Sequence, residues 1–355
     1  MGVVAFLLLF SFTFYVELSS NNDFSRIQTI MIQLQNKSMS FGDFLRSDNM
    51  YFSSSLKYTY SFNIFLYSVS KLFKNRYALV WLSVIIDYSL VCYLAYHWKN
   101  RYSIVEVIFS GLLCLAFMPF VHVVSGLRTA TATSIMGVGI YRYLCQKAQL
   151  REFALFCILS ATYHPVVILT IPIVLMVRFF DNKWIVIAIF VGALFLSKIV
   201  NYLSEVGGAF FGFIERKYET YYAADQFRAS RLILYSVIVL CICILLYYFF
   251  FTRKSSETQS DIETDKMYLF IACYAGLALG NIGSYEMIVR SGYMFGVFAP
   301  VVVSFFQLNK KSTSLIAFAI KGIAIASAVF SLLGLYRSFG GLFHLSNIPK
   351  ALNLL

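Results

Sequence analysis

Residues 125–145 read Ser-Gly-Leu-Arg-Thr-Ala-Thr-Ala-Thr-Ser-Ile-Met-Gly-Val-Gly-Ile-Tyr-Arg-Tyr-Leu-Cys, and this stretch decides the fold. After the small-residue break Ser125-Gly126-Leu127 the run opens on a charge, Arg128, passes through small and hydroxylated residues, and ends apolar. As a helix, residues 128–145 cover about 27 Å at 1.5 Å per residue, close to the roughly 30 Å of a bilayer's hydrocarbon core. A charge within apolar sequence is costly and is usually kept for a function.

The rest of the chain has the same character. Its 355 residues are 59% hydrophobic and 13% charged, with a mean hydropathy of +0.73, too apolar for a soluble globule. Segments of membrane length are expected at 77–97, 103–124, 128–145, 184–203, 232–252, 266–283, 286–307 and 313–336, with weaker ones at 1–16, 58–73 and 152–178. The expected fold is an all-helical, polytopic integral membrane protein of about eleven segments, forming one domain over 1–355. The first run, 1–15, lacks the basic start and Ala-x-Ala site of a cleaved leader and reads as a short first span. Trp81, Trp98 and Trp184 fall near segment ends, where amphipathic rings settle at the interface.

The net charge of +12 does not point to nucleic acid, because the basic residues are spread over short connections between spans. Connections 98–102 (Lys99, Arg101), 142–151 (Arg142, Lys147, Arg151), 253–266 (Arg253, Lys254, Lys266) and 308–312 (Lys310, Lys311) hold these basic residues and read as cytoplasmic. Stretches 17–57 and 204–231 balance acid against base and read as extracytoplasmic loops. Strict alternation does not give a single orientation, since Lys71, Lys74 and Arg76 follow 58–73 on the outer side. Segment 152–178 is the other exception, because His164-Pro165 at its middle removes a backbone donor and can kink or break the helix.

All seven cysteines lie in or beside hydrophobic segments and read as inert packing residues. The chain has no Gly-rich phosphate loop, zinc-ligand spacing, Gly-x-Ser-x-Gly elbow or Asp-x-Asp motif, so neither cofactor nor metal is expected. A return of the chain from residue 152 places His164 about 18 Å up, in the same half as Arg128. A guanidinium beside a helix N-terminus and hydroxyls makes an anion site, although snorkelling of Arg128 to the headgroups fits the sequence equally.

Ser125-Gly-Leu-Arg-Thr-Ala-Thr-Ala132, a basic turn, and Leu159-Ser-Ala-Thr-Tyr-His164 resemble the central block of EpsG/Wzy-type exopolysaccharide polymerases. Asp23-Phe-Ser-Arg26 resembles that family's Asp-x-x-Arg segment, and Arg290 in Met287-Ile-Val-Arg-Ser-Gly-Tyr293 resembles its late-helix arginine. This chain departs from the pattern at Ser160, where the family has Ala, and at Ile27, where it has Tyr.

The resemblance implies a glycosyltransferase-C-like fold with extracytoplasmic loops, in the bacterial cytoplasmic membrane. It also implies inverting, metal-independent transfer of a glycan from one polyprenyl diphosphate onto the next lipid-linked repeat unit. The chemistry asks for cations at the departing diphosphate and a base at the attacking hydroxyl. Arg128 and Arg290 fit the first need, and His164 or Asp23 the second, with the block around His164 matching the family more closely. Glu286, four residues before Arg290, offers a purely structural pairing instead.

Arg26, Arg216, Tyr218, Tyr221 and Tyr222 are candidate glycan or lipid contacts, since aromatic rings stack on sugar faces; an interfacial amphipathic helix fits residues 210–227 equally. Expected partners are the lipid-linked oligosaccharide, membrane lipid, a chain-length regulator and a flippase. Two other readings stay open. A lipid-linked oligosaccharide flippase also uses buried arginines, but the chain shows no internal repeat. A membrane O-acyltransferase also uses a histidine, for which Tyr163 is the one adjacent polar partner.

Overall fold

The computed structural model describes residues 23–36, 39–46, 59–98, 104–118, 126–180, 184–207, 259–281 and 285–308, with isolated positions 123, 124, 182, 212 and 215. Every regular element among them is helical. In chain order they are α1 (Asp23–Asn36), α2 (Phe41–Arg46), α3 (Tyr60–Leu72), α4 (Ala78–Trp98), α5 (Ile104–Phe117), α6 (Leu127–Cys145) and α7 (Leu150–Tyr163). A 3-10 turn (Pro165–Leu169) leads to α8 (Thr170–Phe179), α9 (Ile185–Leu194), α10 (Leu196–Gly207), α11 (Gln259–Gly280), α12 (Tyr285–Val297) and α13 (Ala299–Leu308). The expected segments 1–16, 232–252 and 313–336 lie outside the described residues.

Only α4, among the described residues, is long and apolar enough to cross a bilayer by itself; 106–115, 165–179 and 185–194 are shorter apolar helices. The expected count of about eleven full spans is therefore not reached there. Proline explains two of the shortenings. Helix α5 ends at Phe117, before the Met118-Pro119 pair, and segment 286–307 divides where Pro300 cannot supply an N–H to the preceding turn. Stretch 17–57, read as a loop, contains the helices α1 and α2.

The bundle buries several polar side chains within its apolar core and turns large apolar ones outward. Thr129, Thr131, Thr133, Ser134, Ser83 and Asp87 are buried, while Leu155 is 67% exposed and Ile158, Phe179, Phe195 and Val191 also face outward. Apolar residues turned outward suit a lipid solvent.

Helix α6 is the central element. It packs antiparallel to α7: Tyr143 stacks on Phe153 with centroids 4.6 Å apart, Arg142 pairs with Glu152 at 2.7 Å, and the Ser160 hydroxyl approaches the Met136 sulfur at 3.9 Å. Gly139 permits this closeness, because a Cβ there would meet the Phe156 side chain at 2.5 Å. Helix α4 runs parallel to α6. The Tyr141 hydroxyl donates to the His97 carbonyl at 2.8 Å, and Thr131 lies beside Asp87, so both pairs hold the same register. Helix α12 is parallel as well, since Gly137 faces Val297 while Arg290 reaches Thr129.

One end of the bundle collects the basic connections. Cys145 contacts the Glu263 carbonyl, Lys147 lies 3.9 Å from Glu263, Lys266 donates to the Arg178 carbonyl at 3.0 Å, and Trp98 donates to Ser304 at 2.7 Å. Segment 152–178 thus leaves this end in α7 and returns to it in α8. It is a hairpin that turns at His164–Leu169 within the bundle, not a single crossing. Pro165 dictates the turn, because it drives His164 into extended backbone and starts the 3-10 turn at its first position.

Helices α9 and α11 meet through Gly276 and Gly280, one turn apart on α11. A Cβ at Gly280 would lie 2.9 Å from the Phe190 carbonyl oxygen and 3.0 Å from the backbone of Ala193, neither of which can swing aside. Gly280→Ala should therefore destabilise the protein by about 1–3 kcal/mol. Thermal unfolding in detergent checks this, with Gly192→Ala, which meets nothing within 4 Å, as the unaffected control.

Candidate functional site

Arg128 occupies the second residue of α6, behind the N-cap Gly126, which offers no side-chain cap to the first turn. The register with α4 places it level with Val84, about six residues or roughly 9 Å inside the start of that apolar helix. The Arg128 guanidinium sits 5.7 Å from the centroid of the Phe62 ring, a cation–π contact that orients the group. Phe62 meets Tyr163 edge-on at 5.6 Å, and Tyr163 precedes His164.

From the opposite side, Arg290 donates through Nη1 to the Thr129 hydroxyl, the residue after Arg128. Arg290 of α12 thus bonds the residue next to Arg128, in the first turn of α6. The Arg290 side chain is partly exposed, whereas Thr129 is buried. The side chain of Glu286, the alternative partner for Arg290, lies outside the described residues.

His164 ends α7 at the turn of the hairpin and is 8% exposed. Its Nδ1 accepts a hydrogen bond from the Val166 N–H at 3.3 Å. In a neutral imidazole this fixes the hydrogen on Nε2, which makes Nε2 a donor. A base working through Nε2 needs the other tautomer, so the arrangement suits donation to an oxygen better than proton abstraction.

Asp23 opens α1, and its side chain lies outside the described residues, while Arg26 on the same helix is exposed. Ile27, Ile30, Met31 and Leu34 form the buried stripe of α1, and the helix packs along α3. Their C-terminal ends coincide, because Lys71 donates to the Leu34 carbonyl at 2.7 Å and Gln35 to the Phe73 carbonyl at 2.7 Å. The two helices therefore run the same way, and α1 begins near the N-terminal end of α3. That end carries Phe62, and its Ser61 bonds Thr162 at 2.7 Å. The structure thus directs the start of α1 toward the end of the bundle that holds Arg128 and His164. Arg216, Tyr218, Tyr221 and Tyr222 lie outside the described residues.

Two buried acids were missed in the sequence reading: Asp87, fully buried at the tenth position of α4, and Glu106, 3% exposed in α5. The signal was available, since a carboxylate within an apolar span carries the same cost as Arg128. Among the described residues no group of three or more His, Cys, Asp or Glu side chains gathers as a metal site would.

Among the described residues, then, an all-helical bundle brings Arg290 to the residue after Arg128 at the start of α6. The chain belongs to the EpsG family, whose model matches residues 3–343. Neither the curated proteins nor the solved structures compared with it gave a match.

Proposed function

We propose that this protein is a repeat-unit polymerase of a surface polysaccharide, a multi-pass enzyme of the bacterial cytoplasmic membrane. It transfers a polyprenyl-diphosphate-linked glycan onto the next lipid-linked repeat unit at the outer face. The observation that carries this reading is the convergence of Arg128 and Arg290 on the first turn of α6, in a chain of the EpsG family.

In the reaction the acceptor hydroxyl oxygen attacks the anomeric carbon from the face opposite the phosphate. The carbon–oxygen bond to the diphosphate breaks, and the leaving group departs with the electron pair. Arg128, Arg290 and the uncapped α6 N-terminus stabilise the charge that accumulates there, without a metal ion. His164 donates from Nε2 to an oxygen of the sugar or diphosphate. Asp23, on the helix that begins beside this end, takes the acceptor's proton. Arg26, Arg216, Tyr218, Tyr221 and Tyr222 contact the glycan or lipid, and a chain-length regulator and a flippase act beside the enzyme.

A glycan gel from a deletion strain tests the proposal. The expected result is surface glycan limited to a single repeat unit, restored to a full ladder by the wild-type gene. Loss of all surface glycan, single units included, would assign the chain to translocation of the lipid-linked oligosaccharide instead.

A further inference from the structure

The interior of the bundle holds a second polar site, deeper than the arginine pair. Asp87 is fully buried midway along α4, about 14 Å from the start of that helix and about 17 Å from its end. The Thr131 hydroxyl neighbours both the Asp87 carboxyl and the Tyr163 hydroxyl, yet none of these oxygens makes a hydrogen bond of normal geometry among the described residues. Ser83, one turn from Asp87 on the same face of α4, and Ser134, one turn from Thr131 on α6, add two more buried hydroxyls without a bond. All five residues are 5% exposed or less.

Three physical facts limit what such a node can be. A lone carboxylate in a low-dielectric interior costs several kcal/mol unless its charge is balanced. The surrounding donors are all hard oxygens, from carboxylate and hydroxyl, which suit alkali and alkaline-earth cations and not softer metals. A single carboxylate makes a neutral site with a monovalent ion and leaves excess charge with a divalent one.

We propose that Asp87, Thr131 and Tyr163, with Ser83 and Ser134 at its margins, form a binding site for a sodium-sized monovalent cation. The ion ties α4, α6 and the tip of the α7–α8 hairpin together, about one turn deeper than Arg128. The proposal stands apart from the polymerase reading, because its test reads ion binding and not glycan synthesis.

Thermal unfolding of the purified full-length protein in detergent, in NaCl against choline chloride at equal ionic strength, decides the matter. Wild type should gain thermal stability with Na+ in a saturable way, and Asp87→Asn should lose that dependence. Should Asp87→Asn fail to fold, Thr131→Val and Tyr163→Phe, which each remove one neutral ligand, should raise the half-saturating Na+ concentration about tenfold or more. Equal unfolding temperatures in the two salts would overturn the site and assign the charge balance of Asp87 to a proton. A Na+ response that persists in Asp87→Asn, or midpoints unmoved in the hydroxyl variants, would overturn it too.

Discussion

Arg290→Lys and Arg128→Lys should each lower polymer formation by about 10²–10³-fold, the usual effect of removing one preorganised donor from a developing anion. On a gel this reads as loss of the ladder, with the protein still present in the membrane at its normal level. Charge alone does not rescue either site. Arg290 reaches from α12 across to Thr129 with one nitrogen of its planar guanidinium. The Arg128 guanidinium is held over the Phe62 ring, 5.7 Å from its centroid. An ammonium at either place keeps the charge and loses the bidentate geometry.

Thr129→Val provides an internal control, because it keeps both arginines and removes only the hydroxyl that orients one of them. Its loss should be smaller, about tenfold, as befits a positioning residue. A normal ladder from either lysine variant would exclude that arginine from the diphosphate site.

How much of this was legible beforehand depended on the range of the interaction. The helical class and most helix positions follow from apolar run length, a local property, and so does the break at His164-Pro165. The antiparallel packing of α6 on α7 was legible because the two helices flank one basic turn, which leaves them few ways to pack. What that sequence logic did not give was direction. Segment 152–178 has the length of a crossing, and it is the contacts of Arg178 with Lys266 and with the Tyr143 ring that show it returning to its starting end.

Asp87 was missed for a different reason. Its neighbours Thr131 and Tyr163 lie far along the chain, so the sequence shows a single acid in an apolar run and not the node it joins. The start of α1 at Asp23 becomes relevant to the site only through α3, whose Phe62 and Ser61 meet α6 and α7.

The second large effect separates the two candidate bases. A hydroxyl attacking an anomeric carbon loses its proton as the bond forms, and removing the group that takes it costs about 10²–10⁴-fold. His164 already accepts at Nδ1 from Val166, so its Nε2 carries hydrogen and serves as a donor. Glutamine also offers an N–H donor at about that reach. His164→Gln should therefore keep measurable turnover, with a loss nearer tenfold than a thousandfold, while Asp23→Asn should stop turnover and still bind the lipid-linked donor. Single-turnover assays with purified lipid-linked repeat units, alongside a binding assay on the same preparations, separate these outcomes. If His164→Gln is the dead variant and Asp23→Asn polymerises normally, the imidazole has exchanged its Nδ1 bond for proton abstraction at Nε2, and the base is His164.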